Sequence, residues 1–146
     1  MKKMETGFIY AIGAAVLWGF IYTIDQKVLS DVAPMTLLFI HAIVATIIVL
    51  PLIFFSNGLT NNILAVGKTN WLLIIFTVAL ATLANFFILS SIRGLNASIA
   101  SIIEISYPFF VVLFSYILFR STPNIYFFIG GILVFLGSFI IIRFAS

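Results

Sequence analysis

Long apolar stretches alternate with short polar breaks along the whole chain. Five stretches, at about residues 7–24, 34–55, 70–91, 97–119 and 124–143, each approach the ~20 residues that a helix needs to cross the hydrocarbon core. The breaks contain Pro, Gly, Asn, Asp and Ser, which end helices and form turns. Strands are not expected, because an unpaired strand edge in lipid leaves backbone groups unsatisfied. The pattern predicts an all-α integral membrane bundle of five transmembrane helices, in a single domain over residues 1–146.

Composition supports the membrane prediction and excludes several functions. Hydrophobic residues make up 64% of the 146 residues and charged residues 8%, which a soluble domain of this size could not bury. The opening apolar stretch runs past the length of a signal peptide, so we interpret it as the first span. The seven Lys and Arg residues are too scattered to bind a nucleic acid. Without cysteine and with one histidine, no metal site or other cofactor is expected.

The basic residues are nearly balanced between the two sides of the predicted bundle. Five spans place the termini on opposite sides, and orientation follows the Lys and Arg residues in short loops. One side holds Lys2, Lys3, Lys68 and Arg120, and the other holds Lys27, Arg93 and Arg143. This count of four against three suggests a chain that inserts either way up, and it is equally consistent with a weak preference for a cytoplasmic N-terminus.

A carboxylate lies inside the fourth span. Ser101, Glu104 and Pro108 share the smallest and most polar face of that helix, together with Ala97. Glutamate in a bilayer costs a few kcal/mol to insert, and the low dielectric disfavours its ionised form, so we expect Glu104 to exchange protons. Pro108 lacks the N–H that would bond to the Glu104 carbonyl, which predicts a helix kink. The alternative is a neutral Glu104 that only links helices, through hydrogen bonds to Ser101, Asn85 or a neighbouring helix.

The first span carries aromatic residues on one face. Ala14, Trp18 and Tyr22 follow one another at four-residue spacing, and the same face reaches Asp25 at the end of the span. These side chains could line a cavity and bind substrate, although core packing explains Trp18 equally well. On the fifth span, Gly130 and Gly137 share a face that should allow close packing, either within one chain or between two copies.

Three further residues are candidates for the site. His41 in the second span could titrate near neutral pH and partner Glu104, or it could be a buried hydrogen-bonding group. Asn85 in the third span should point inward, as a substrate ligand or as a hydrogen bond between helices. Tyr107 is close to Glu104 in sequence but lies about 60° around the helix, so it could contact substrate, another helix or lipid.

Three segments together resemble a known transporter family. They are AAVLWGF in the first span, NASIASIIEISYPFFVVLFSYILF before and through the fourth, and GGILVFLGSFIII in the fifth. In this order and spacing they resemble the EamA-type half of the drug/metabolite transporter superfamily. Larger members have two such five-helix halves in opposite orientations, with the transport pathway between them. The resemblance implies that this half-sized chain forms an antiparallel homodimer, which the four-to-three charge count also favours. It does not name the cargo.

The sequence therefore predicts a multi-pass protein of the cytoplasmic membrane that transports a small metabolite or organic cation by alternating access. Glu104 and His41 would couple protons, and Trp18, Tyr22, Asn85 and Tyr107 would contact substrate in a midplane cavity between the first, third and fourth helices. The alternatives are a lipid-linked-sugar flippase subunit or accessory membrane protein that needs a different partner, and a purely structural bundle. An enzyme is not expected, because no nucleophile, base and orienting group occur together.

Overall fold

The computed structural model describes residues 2–55 and 66–144, and this part of the chain is helical without strands. The helices are α1 Lys2–Val28, α2 Pro34–Phe55, α3 Lys68–Leu95, α4 Ala97–Glu104, α5 Tyr107–Phe119 and α6 Ile125–Phe144. Together, α4 and α5 form the fourth apolar span, so the described residues contain five segments long and apolar enough to cross a membrane. The predicted all-α membrane bundle is confirmed.

Several helices extend beyond the apolar stretches that predicted them. The first stretch ends near residue 24, whereas α1 continues to Val28, and α3 continues to Leu95 rather than to about residue 91. Helical hydrogen bonding persists where the sequence becomes polar, since the apolar pattern marks contact with lipid and not the end of the backbone ladder. Most of the polar break that begins at Ser56 lies outside the described residues.

A single linking residue reverses the chain between α3 and α4. Asn96 has φ 119°, a backbone conformation that residues other than glycine rarely adopt. Its N–H donates to the carbonyl of Ile92 at 3.1 Å, and its Oδ1 accepts from the Ile99 N–H at 2.9 Å. Asn96 therefore ends one helix and caps the next, which brings the start of α4 beside the end of α3.

Buried side chains gather at one end of the bundle, which we call the packed end. This end is formed by the last turns of α1 and α3 and the first turns of α2 and α4. Its buried apolar residues are Tyr22, Leu29, Leu37, Leu89, Ile92, Ala97 and Ala100. Within the described residues, α5 and α6 contribute none. Their exposed apolar side chains suit lipid or another protein surface rather than water.

The glycines of α6 show where this helix packs within the chain. A methyl group at Gly131 would overlap the ring of Phe109 on α5, so this glycine permits a close contact between the two helices. Added methyl groups at Gly130 and Gly137 would meet nothing within 4 Å. Open space therefore remains beside Gly130 and Gly137 among the described residues.

Candidate functional site

One face of α1 supplies the aromatic and acidic groups of the candidate site. Trp18, Tyr22 and Asp25 follow at spacings of four and three, which align side chains along a helix. The rings of Trp18 and Tyr22 have centroids 5.4 Å apart and are tilted by 50°. Tyr22 and Asp25 are both buried, because α1 packs against α3 and α4 at this level. The predicted stripe of the first span thus points into the protein at Tyr22 and Asp25, whereas Trp18 is about half exposed.

A hydrogen bond joins α1 to the carboxylate of the fourth span. The Tyr22 hydroxyl donates to Glu104 Oε2 at 2.8 Å, between residues that are 82 positions apart in the sequence. The Glu104 side chain is half-buried and sits at the last residue of α4. Of the partners considered from the sequence, Ser101 and Asn85 do not donate to this carboxylate, and a neighbouring helix supplies the donor. The Ser101 hydroxyl donates instead to the Ser98 carbonyl at 3.0 Å.

The fourth span is broken immediately after Glu104. Ile105 and Ser106 form a turn, and α5 begins at Tyr107 with Pro108 in its first helical turn. Pro108 has no N–H for the Glu104 carbonyl, and its ring fits the start of a helix better than the interior. Backbone bonds from Ser106 to the Ile103 carbonyl and from Phe109 to the Ser106 carbonyl close the turn, at 3.2 and 3.1 Å. Where the sequence predicts a kink, the structure has two separate helices.

His41 pairs with Asp25 rather than with Glu104. The distance from His41 Nε2 to Asp25 Oδ1 is 3.5 Å, and it links α2 to α1. The Asp25 side chain is 6% exposed and that of His41 is 44% exposed, so the carboxylate is the desolvated member of the pair. The two acids consequently have different partners, a phenol for Glu104 and an imidazole for Asp25.

A cavity of about 330 Å³ lies beside these groups. It is lined by residues of α1, α2 and α3, namely Trp18, Ile21, Tyr22, Asp25, Leu38, His41, Ala42, Ala45, Val78, Ala81, Thr82, Asn85, Ile88 and Leu89. The expectation of a cavity between the first, third and fourth helices is wrong about the fourth, whose place is taken by α2. Glu104 is not among the lining residues, and it is joined to the cavity wall by the Tyr22 hydroxyl.

The cavity extends along the helices from the packed end. Asp25 is three residues from the end of α1, which corresponds to about 4.5 Å along the helix axis, and Trp18 is ten residues away, or about 15 Å. On α3, the lining residues reach from Leu89 back to Val78, beyond the middle of that helix. The midplane position of the cavity stays a prediction.

The remaining sequence-predicted residues divide between the cavity and its surroundings. Asn85 lines the cavity, and its Nδ2 donates to the Ala81 carbonyl of the same helix at 2.9 Å. Tyr107 is 61% exposed and is not among the lining residues. The structure thus brings together Trp18, Tyr22, His41 and Asn85, reaches Glu104 through Tyr22, and leaves Tyr107 outside.

The family comparison covers almost the entire site and bundle. The model of the EamA-like transporter family matches residues 5–143. The chain belongs to this family. No curated protein and no solved structure matches it significantly. Family membership makes this five-span chain a membrane protein of a transporter family, as the three sequence segments in the first, fourth and fifth spans indicate.

Two residues of this EamA-like chain join helices at the site, although the sequence did not indicate it. Asp25 appeared only as the end of the aromatic face, yet it is the buried partner of His41; its spacing of three from Tyr22 was the available signal. Gln26 was not a candidate. Its Oε1 accepts from the Ala97 N–H at 2.6 Å and so joins α1 to the start of α4. No sequence signal distinguishes Gln26 from an ordinary polar residue near a helix end.

Proposed function

We propose that the protein is a proton-coupled secondary transporter of a small metabolite or organic cation, and that it works by alternating access as an antiparallel homodimer in the cytoplasmic membrane. The hydrogen bond between Tyr22 and Glu104 carries this proposal, because it connects an acid inside a membrane span with the wall of a cavity. Ionisable residues within membrane spans are costly and commonly belong to transport pathways.

Proton coupling follows from what protonation does to this bond. An ionised Glu104 accepts the Tyr22 hydroxyl in a charge-assisted hydrogen bond, whereas a protonated Glu104 is a weaker acceptor. Gain of a proton therefore loosens the contact between α1 and α4, next to the turn at Ile105–Ser106 where the span can bend. A substrate bound beside Tyr22 would be affected by the same weakening of the Tyr22–Glu104 hydrogen bond. Glu104 is the proposed coupling residue, with His41 as a second titratable group.

Substrate contact is assigned to the cavity wall. Trp18 and Tyr22 offer aromatic surface, and Asn85 offers an amide at the same level of the bundle. A volume of about 330 Å³ is at the lower end of the ~300–1,000 Å³ range of small-molecule sites. We therefore assign Trp18, Tyr22 and Asn85 to substrate binding, and place Tyr107 outside this site.

Two observations support the antiparallel homodimer. The Lys and Arg residues divide four to three between the sides, as expected for a chain without a strong preferred orientation. In addition, the face of α6 that holds Gly130 and Gly137 has open space where a second helix could approach. Two copies in opposite orientations would turn their packed ends toward opposite sides of the membrane, which suits alternating access.

The transport proposal is tested with purified protein in vesicles that carry an imposed pH gradient. Candidate metabolites and cations are screened for uptake, and the wild type is compared with Glu104→Gln, which keeps the side-chain shape and removes its titration. Asp31→Asn is the matched control, since Asp31 lies on an exposed loop. We expect Glu104→Gln to abolish proton-driven accumulation, and Asp31→Asn to retain it.

Three results would overturn the proposal. Flux and pH dependence that survive Glu104→Gln would remove the proton site. Flux that appears only after a different membrane protein is added would favour an accessory or flippase subunit. Absence of saturable flux for all solutes from a correctly assembled protein would leave a structural bundle.

A further inference from the structure

The carboxylate of Asp25 is buried without being tightly bound. Asp25 is 4% exposed and is the only buried charged residue among those the structure describes. Its distance of 3.5 Å to His41 Nε2 exceeds the ~2.7–2.9 Å of a close charge-assisted hydrogen bond. A desolvated carboxylate with so distant a partner retains a strong attraction for a cation.

Aromatic rings stand next to this carboxylate. Trp18 and Tyr22 precede Asp25 on the same face of α1 and line the same cavity. Their rings are tilted against each other rather than stacked, with centroids 5.4 Å apart. The negative face of an aromatic ring attracts cations, and the attraction increases where water is excluded. A carboxylate beside two rings is therefore suited to an ammonium group.

The other polar groups of the cavity act in the same direction. Thr82 Oγ1 donates to the Val78 carbonyl at 2.8 Å, and Asn85 Nδ2 donates to the Ala81 carbonyl at 2.9 Å. The Thr82 hydroxyl hydrogen and one of the two Asn85 amide hydrogens are used within α3, so the Thr82 and Asn85 oxygens can accept from a ligand. No Lys or Arg is among the lining residues that the structure describes. The cavity wall thus favours positive over negative charge.

We propose that Asp25, Trp18 and Tyr22 form a binding site for a small organic ammonium ion, which competes with protonated His41 for the Asp25 carboxylate. The proposal rests on the proposed function in taking this cavity as the cargo site, and it narrows the cargo from metabolites in general to cations. Asp25 supplies the charge, the rings supply cation–π contact, and the cavity of about 330 Å³ limits the size.

Competition with His41 follows from the groups that surround Asp25. Tyr22 on α1 is a hydrogen-bond donor to Glu104 on α4, so its hydroxyl is committed away from Asp25. The lining residues of α3 are uncharged. His41 on α2 is consequently the described group that can place a positive charge against Asp25 when protonated, and an ammonium ion that binds there must displace it.

Choline and its neutral analogue 3,3-dimethylbutan-1-ol provide a matched pair of probes, because they differ in charge but hardly in shape. The Trp71→Phe background leaves Trp18 as the sole tryptophan, so its fluorescence reports on this cavity. We expect choline to bind the purified protein in detergent at least about tenfold more tightly than the neutral alcohol. Equal affinities, or absence of choline binding, would overturn the proposal without any substitution in the site.

Substitutions in the same background assign the charge and the competitor. Asp25→Asn should weaken choline binding by at least about tenfold, because it removes one partner of a desolvated charge pair. The control Asp31→Asn should leave binding unchanged. His41→Gln should strengthen choline binding, because it removes the group that competes for the Asp25 carboxylate. Undiminished binding by a folded Asp25→Asn, or choline binding that is unchanged in His41→Gln, would contradict this assignment.

Binding and flux together separate this inference from the transport proposal. Choline binding without flux of any solute would support the cation site and count against transport. Flux of a neutral or anionic solute that choline does not inhibit, together with no flux of choline itself, would support transport and overturn the cation site.

Discussion

The packed end and the α5–α6 pair of this molecule differ in what holds them together. At the packed end, buried side chains interlock and hydrogen bonds from Tyr22 and Gln26 join α1 to α4. The α5–α6 pair has aromatic contacts such as Phe109 with Phe127, but no buried residue in the described chain. The α5–α6 pair is no less apolar in sequence than the helices of the packed end. Apolar composition therefore places a helix in the membrane, whereas small and polar residues decide which helices pack tightly.

The largest contrast is expected from truncating a leucine in each region. Leu29 is 1% exposed at the packed end, and Leu133 on α6 is 65% exposed. Leu29→Ala should lower the free energy of unfolding by about 2–3 kcal/mol, because it leaves a cavity in close packing. Leu133→Ala should change it by less than about 0.5 kcal/mol. Denaturant unfolding in mixed micelles measures both, and equal losses would remove the distinction between the regions.

A somewhat smaller effect is expected at the link between α3 and α4. Asn96→Ala loses the cap on α4, worth about 1 kcal/mol, and must also adopt the positive φ without an amide side chain. Asn96→Gly loses the same cap but accepts the backbone conformation. Thermal unfolding should therefore rank the alanine variant below the glycine variant. The reverse order would show that the positive φ does not limit this turn.

Removal of the Tyr22 hydroxyl should affect coupling more than stability. Tyr22→Phe eliminates the donor to Glu104 and should cost about 1–2 kcal/mol, since Glu104 loses a partner in a half-buried position. Proton-driven flux should fall while binding to the cavity wall persists. Tyr10→Phe, on an exposed part of the same helix, is the control. Full coupling in Tyr22→Phe would exclude the phenol from the proton pathway.

The smallest effects on the isolated chain are expected on α6. Gly130→Ala should leave unfolding of the chain within about 0.5 kcal/mol of the wild type, because its methyl group meets open space, whereas Gly131→Ala would disturb Phe109. If the Gly130 face binds a second copy, Gly130→Ala should still weaken dimerisation. Crosslinking in native membranes, with chains tagged for orientation, measures that loss. An unaffected dimer would place the interface elsewhere.

The sequence predicted the number of spans because each is close to the length that a bilayer requires. It also predicted an interruption of the fourth span, because Pro108 cannot continue the backbone hydrogen-bond ladder. It could not predict the pairing of His41 with Asp25. The helix α2 is apolar around its whole circumference, so nothing in its pattern fixes which face turns inward. The bond from Tyr22 to Glu104 likewise depends on how α4 packs against α1, which spacing along one helix does not determine.

The most direct test measures the carboxyl group of Glu104 itself. Glutamates occur only at positions 5 and 104, so infrared difference spectra of protein labelled with ¹³C-glutamate isolate two side chains as pH is changed. We predict a carboxyl band that is lost in Glu104→Gln, where Glu5 is the remaining glutamate, and that shifts in frequency in Tyr22→Phe, as a hydrogen-bonded acid inside the bundle requires. A Glu104 band that is absent at all pH values, or unaltered when the Tyr22 hydroxyl is removed, would contradict the account.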